Sequence, residues 1–422
     1  MEIGISDSAQ RLAKIKTALV VTICLLVPAA EVRAEDWSQW GGPNRDFTVK
    51  TRKLANAWPV DGPKRLWKRP LGAGYSSIVV ADGKLYTMYR DGDDDVVVCI
   101  RAESGKTAWE HMYPAPIYPG NKLDFGKGPN ATPLLLRDRI ITIGFTGKME
   151  CLSLDKGESI WSHDLVKEFG GKIHEFGYSP SPLAYKGVVI VLVGGKKHGV
   201  MAFSPRDGSV VWKSAPHDIS YASPIIINVD GQDQIVFMSS TEVIGIDATD
   251  GSFLWSHPCV NQYKNNATGP IWGKDNLLWV ATQMDGGTRV LKLTQRQGKT
   301  TVKQVWFNRK VKVFHWNAIR IGDYVYASIG NNTTTISAVN VKTGEIAWRE
   351  RGFHKALCLY ADNKLIFLDE NGQLAMAKVS PEKIDILSKV QLTERVSWTV
   401  PTLVGRVLFV RDKKDIMALD LG

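Results

Sequence analysis

Residues 99–109 read CIRAESGKTAW, and the run Ser104-Gly105-Lys106-Thr107 inside them has the ending of a phosphate-binding loop. Such a loop needs a glycine five positions before its Gly-Lys-Thr so that successive N–H groups can curl around phosphate, and that position holds Ile100. Gly298-Lys299-Thr300 fails in the same way, with Leu293 at the required place. Sister copies give the stretch its meaning: CLSLDKGESIW (151–161), AFSPRDGSVVW (202–212), GIDATDGSFLW (245–255) and AVNVKTGEIAW (338–348). Each has a small residue, polar turn formers, a glycine and a tryptophan four positions after it. Each reads as a hairpin whose glycine accepts positive φ and whose second strand ends in a large aromatic. Two further copies are degraded, LKLTQRQGKTTVKQVW (291–306) with a lengthened turn and AMAKVSPEKIDIL (375–387) without glycine or tryptophan.

Two short strands precede each hairpin, for example SSIVVADGKLYTMY (76–89) and NAIRIGDYVYASI (317–329), with Asp-Gly and Gly-Asp supplying the turns. The unit is therefore four antiparallel strands, and Trp67, Trp109, Trp161, Trp212, Trp255, Trp306 and Trp348 repeat at intervals of 42 to 52 residues. Period and strand count predict an all-β fold, an eight-bladed β-propeller of four-stranded antiparallel blades spanning 63–422. The chain stops after one hairpin strand at IMALDLG (416–422), and PKRLWKR (63–69) is a tryptophan strand with nothing before it. The two are expected to share a blade and close the ring.

The first segment carries Arg11, Lys14 and Lys16, an apolar run from Thr17 to Ala30, and Val32-Arg33-Ala34. Residues 1–34 are read as a secretory signal peptide, because the run is too short for a spanning helix and ends in small residues. Cys24 follows Ile23 rather than a small residue, which argues against a lipoprotein. Residues 35–62 are a leader segment. The expected product is exported to the periplasm or cell envelope, without a transmembrane segment, and monomeric. The net charge of +10 is scattered in short clusters beside turns, which does not make a nucleic-acid footprint. Cys99, Cys151, Cys259 and Cys358 form no C-x-x-C pair, and the first two hold equivalent places in successive repeats, where a small apolar residue is needed.

The repeats resemble the tryptophan-docking motif of the pyrroloquinoline-quinone (PQQ) propeller family, with matches at Gly105/Trp109, Gly157/Trp161, Gly208/Trp212, Gly251/Trp255 and Gly344/Trp348. The opening WSQWGGPNRD (37–46) is similar to that of exported bacterial members. The resemblance implies indoles docked against neighbouring blades. It also implies one of two functions, since the family holds quinoprotein dehydrogenases and non-catalytic scaffolds such as the propeller lipoprotein of the outer-membrane barrel assembly machinery. The dehydrogenases carry an adjacent Cys-Cys pair and a calcium held by Glu, Asn and Asp from separate blades. This sequence lacks the pair, which weakens the case for PQQ, and the sequence alone does not assign the calcium positions.

In a propeller, the loop leaving one blade's outer strand delivers its last residues to the channel mouth. Those loops hold Tyr75, Lys127, Asn130, His174, Glu175, Tyr178, Tyr221, Asn266, His315, Trp316, His354 and Trp398 as ligand candidates. Such a ring suits a flat cofactor, a sugar or a peptide, the alternative being aromatics that only plug the channel. His174-Glu175 lacks the second histidine of a metalloprotease helix, since position 178 is Tyr178. Asp91-Gly92-Asp93-Asp94-Asp95 imitates a calcium loop but has Val96 and Ala102 where glycine and glutamate belong, so it is read as a hairpin tip. No catalytic residue or metal site is assigned. The expected function is a non-enzymatic scaffold holding an envelope protein or polymer, the alternative a PQQ- and calcium-dependent alcohol or sugar dehydrogenase.

Overall fold

The computed structural model describes residues 36–51 and 53–422; the signal peptide expected at 1–34 lies outside the described residues. Seven consecutive four-stranded antiparallel blades occupy 79–114, 134–164, 183–213, 225–258, 271–308, 318–350 and 357–391. The eighth is composite: strands Thr402–Val404, Val407–Arg411 and Asp415–Asp420 are completed by Lys64–Pro70. Its closing pair is antiparallel, with Lys64 opposite Asp420, Trp67 opposite Ala418 and Pro70 opposite Asp415. The middle strands are nearly continuous runs of buried residues, such as Val96–Ile100 and Leu277–Ala281. Both of their faces lie against neighbouring blades, so they lack a polar side. The outer strands alternate exposure instead.

Across the outer hairpin all but one of the repeat tryptophans face a small residue, Cys99–Trp109, Cys151–Trp161, Ala202–Trp212, Gly245–Trp255, Ala338–Trp348 and Ala418–Trp67, whereas Trp306 faces Val290. The cysteines are thus spacers beneath an indole, and all four described thiols are buried and free. Burial pushes the Cys151 thiol up to about 12 and Cys259 to about 11, so neither supplies a thiolate at neutral pH.

The indole docks on the following blade's turn. A Cβ on Gly157 would lie 2.4 Å from the Trp109 ring, and one on Gly105 would lie 2.8 Å from Trp67. Both glycines sit near φ +70, so the turn needs glycine for its backbone as well as for the space. The same seat joins Trp161 to Gly208, Trp212 to Gly251 and Trp306 to Gly344. Indole N–H groups donate to carbonyls of the receiving turn, Trp67 to Ala102 (2.7 Å), Trp109 to Leu154 (3.2 Å) and Trp161 to Pro205 (3.0 Å). Trp348 donates to Ser380 of the degraded copy at 2.9 Å.

Two seams lack this joint. Blade 5 turns tightly at Gln297-Gly298 on a long hairpin, and Gly298 meets nothing, so Trp255 packs on its own blade and donates to Gln234 (2.7 Å). Gln234 in turn donates to Thr300 of blade 5 at 2.7 Å, carrying the contact across. Blade 7 has Ser388, opposite Met376, in place of tryptophan, and the leader bridges to blade 8 instead. The backbone N–H of Trp58 donates to the Ser388 hydroxyl (2.8 Å), that of Ala55 to the Leu421 carbonyl (2.7 Å), and Gly62 lies against Val390.

Earlier leader residues run through the channel. Trp37 exchanges both backbone bonds with Val80 of blade 1, Ser38 accepts from Leu135 of blade 2, and Arg45 Nη1 donates to Pro182 at 3.0 Å. Thr48–Val49 then pairs in parallel with the first strand of blade 7.

Trp109→Ala should lower stability by about 3 kcal/mol, since the indole is half-buried and leaves a gap between two blades. Lys106→Ala, on an exposed side chain, should leave it within about 0.5 kcal/mol. Urea titration of both variants measures the difference. Removing residues 408–422 takes two strands from the composite blade and should abolish the cooperative melting transition, which calorimetry would show as loss of the heat-absorption peak.

Candidate functional site

Backbone loops arriving at the channel mouth fix the site. Tyr75 and Ser76 N–H groups both donate to Pro129, and Tyr221 and Ala222 N–H groups both donate to Asn266, so successive loops are clamped to each other around the ring. Between them lies a cavity of about 330 Å³. Its rim is aromatic, from Tyr221, Phe176 and Phe125 to Trp398, Tyr75, His315 and Phe314. Adjacent centroids stand 6.1 Å (Phe176–Tyr221), 5.1 Å (Phe125–Phe176), 5.4 Å (Phe125–Trp398), 5.2 Å (Tyr75–Trp398) and 4.6 Å (His315–Trp398) apart. Within these five pairs the interplanar angles run from 38 to 60°, so each ring is turned relative to the next. Trp40 of the leader, with Gly269 and Asn317, borders both this cavity and a second one of about 320 Å³, so its indole separates the two.

Charge at the mouth is sparse. The lining has no carboxylate, and its one ammonium, Lys355, meets Glu370 at 2.8 Å. Glu370 also accepts the Trp398 indole N–H at 2.9 Å, which fixes that ring at the rim. Burial among Trp398, Phe314 and Trp316 lowers the His315 imidazole to about 4, with Lys355 adding to the effect and Glu370 opposing it. His315 is therefore neutral near pH 7, and its Nε2 has no hydrogen-bond partner among the described residues. Lys413, outside the lining, stands 5.8 Å from the Trp398 ring centre.

Of the residues singled out from the sequence, Tyr75, Asn130, Tyr221, His315, Trp316 and Trp398 line the cavity. The others lie outside its lining. His174 sits behind Tyr221, with ring centroids 5.1 Å apart and a ring nitrogen bonded to the Ile219 carbonyl. Glu175 pairs with Lys122 at 2.6 Å on the surface. Tyr178 is core, its hydroxyl donating to Leu192 at 2.8 Å. Asn266 is buried, its amide donating to Ser239 (2.8 Å) and Cys259 (3.3 Å). Lys127 and His354 point to solvent, while their neighbours Gly126 and Lys355 reach the cavity. Phe125, Phe176 and Trp40 join the lining without having been flagged; an aromatic in each mouth loop was the available signal for the first two.

The acidic run is divided by the hairpin. Asp93 is exposed at the tip, whereas Asp95 is buried, meets Arg90 at 3.2 Å and accepts the Phe145 N–H at 2.8 Å. Burial still raises its carboxyl to about 6. It is an interior strut between blades 1 and 2.

The PQQ group and its calcium ask for cations facing several carboxylates and for a carboxylate cluster on the metal. The lining has neither, Lys355 is already neutralised, and among the described residues no group of three or more His, Cys, Asp or Glu side chains could hold a metal ion. These residues do not fit that cofactor.

Comparison with known proteins places the fold. Among curated protein sequences none matches this chain. The structure superposes on BamB from Moraxella catarrhalis with a TM-score of 0.59 at 14% identity, over 85% of this chain and 99% of that one. A europium-containing methanol dehydrogenase gives 0.68 at 9% identity, over 92% and 98% of the two chains. A quinohemoprotein alcohol dehydrogenase from Comamonas testosteroni gives 0.52 at 13%, over 92% and 80%. At such identities these likenesses speak for the fold alone, scaffold and enzymes alike. The model of the family described as outer membrane protein assembly factor BamB matches residues 93–350, more than half of the sequence, and the chain belongs to that family of PQQ-like repeat propellers.

Proposed function

We propose that the protein is an exported, non-enzymatic binding scaffold of the cell envelope that holds its partner, a protein or polymer, at the aromatic mouth. The observation that carries this reading is the chemistry of the lining: abundant ring faces and neutral hydroxyls and amides, with one cation tied to Glu370. General acid–base work needs a group whose proton moves near neutral pH. His315, the one imidazole in the lining, is held neutral with its titration displaced to about 4. The site is built to contact surfaces, and the exposed Leu123, Phe125 and Tyr263 in loops of the same face extend the apolar area outward. Export rests on the basic-then-apolar opening of the sequence, and an envelope partner on the assembly-factor family.

Two measurements test the reading. Purified protein is mixed with PQQ and Ca²⁺ while cofactor absorbance and dye reduction with alcohols are followed. No turnover is expected, and stoichiometric cofactor uptake with alcohol-dependent dye reduction would replace the scaffold by an oxidoreductase. The second concerns pH. The unfolded chain takes up a proton on His315 below its ordinary value of 6.5, whereas the folded chain does so only near 4. Between those values the unfolded state binds more protons, so the His315 contribution is full above about 6.5 and is lost as pH falls toward 4. The melting temperature of His315→Phe should drop less than that of the parent between about pH 7 and pH 4.5. Equal drops would mean that the imbalance lies elsewhere.

A further inference from the structure

Beneath the aromatic rim the cavity has two unlike sides. Ser77, Thr132, Ser181 and Ser223 each stand two residues before the first strand of blades 1 to 4, so four consecutive blades present one hydroxyl apiece. The blade-8 residue at the same offset is Val400, and blade 7 supplies Leu357, its first strand residue. Ser181 Oγ accepts the Thr132 N–H at 3.0 Å and Ser223 Oγ accepts the Ser181 N–H at 2.9 Å. Their acceptor sides are thereby engaged, which leaves each O–H free to donate to something else. Asn130 Nδ2 donates to the Phe176 carbonyl at 3.0 Å, which fixes that amide in the cavity wall beside the hydroxyl arc.

An occupant must therefore be neutral, since the lining itself holds no unpaired charge and Lys413 stands outside it over the Tyr75 and Trp398 rings, and two-faced, with several donors and acceptors on one side and a C–H surface on the other. It is not a flat heterocycle, because consecutive rim rings are turned 38 to 60° from each other and offer no parallel pair to sandwich one. A puckered polyol ring satisfies all of these constraints: its hydroxyls face the Ser/Thr arc and its C–H face lies on Trp398 and Val400. We propose that the mouth cavity holds a neutral pyranose, either a free sugar or the terminal unit of a glycan, bound without being oxidised. The volume of about 330 Å³ is at the lower end for small-molecule sites and suits one such ring with its substituents. This inference rests on the binding reading above and narrows it to a ligand class.

The test is titration of the full chain, after removal of residues 1–34, with a panel of methyl hexopyranosides, a neutral oligosaccharide, glucuronate, glucosamine and indole. Tryptophan fluorescence and calorimetry report binding. At least one neutral pyranoside should bind with a dissociation constant of about 1 mM or tighter. Glucuronate of the same configuration should bind at least about tenfold more weakly. Oligosaccharide binding tighter than the methyl glycoside would identify a glycan as the source, and equal binding a free sugar. Thr132→Val should weaken the sugar about three- to tenfold. Trp398→Ala should weaken it further, while Trp398→Phe, which keeps a ring face, retains it; unchanged melting temperatures separate lost contacts from lost folding. No saturable binding of any neutral sugar in the panel, or binding untouched by Thr132→Val and Trp398→Ala, overturns the saccharide assignment. In that case binding of indole, or of an envelope partner blocked by Trp398→Ala, would leave the scaffold reading standing. Oxidation of the sugar in the presence of PQQ and Ca²⁺ would overturn both.

Discussion

The ring is held by indoles that leave their own blade. Each docked tryptophan lies over the turn of the blade ahead, in a gap that any side chain at the turn glycine would fill. The interaction is directional, running from blade 8 through 1, 2 and 3 to 4, and again from 5 through 6 to 7. Cysteine or alanine stands opposite most of the docked indoles and valine opposite Trp306, whereas the glycine opposite Trp255 lets that indole fold back onto its own blade. At the two seams where the series stops, hydrogen bonds substitute: the Trp255–Gln234–Thr300 chain at one, the leader at the other. Arg411 performs a related task at closure. Fully buried in blade 8, it donates to Met88 (2.7 Å), Ser76 (3.1 Å) and Gly72 (3.1 Å) of blade 1 and its approach. Burial lowers its guanidinium to about 10, against the opposing pull of the neighbouring Asp412 carboxylate, with which it makes no direct ion pair. Four backbone and hydroxyl acceptors hold it in place of a counter-ion.

The leader gives the molecule its asymmetry. A propeller of eight equal blades has a channel open at both ends, and here residues 37–49 cross it from blade 1 to blade 7. The Trp40 indole divides what remains into two chambers. The mouth cavity is thereby bounded by a tryptophan rather than continuing as an open shaft. A fold shared by scaffolds and dehydrogenases leaves function to the side chains that the loops and the leader bring to the mouth.

The blade architecture was legible because its determinants recur. Glycine at a left-handed turn and tryptophan four residues later are local demands, repeated at fixed offsets, and even the composite blade follows from one unpaired strand at each end of the repeat series. The mouth was legible only in part. Tyr75, Tyr221, His315 and Trp398 enter the cavity because they end loops clamped to their neighbours. His354 and Asn266 miss it by one residue, while Lys355 and Asn265 reach it. Successive side chains in an extended loop point to opposite sides, so composition finds the loop and not the side of it. Trp40 was invisible for a different reason: it meets Gly269 across more than half the sequence, and no local pattern encodes that approach.

The composite blade also sets an order in time. Lys64–Pro70 is made long before Asp415–Asp420, its strand partner among the described residues. Until then the first strand has a bare edge and the ring is a horseshoe with two open ends, the condition in which strands pair with the wrong neighbour. Contacts of such long sequence separation make the final closure slow. A chain that crosses a membrane before folding would meet that hazard all at once, with every strand available, rather than blade by blade as it is translated.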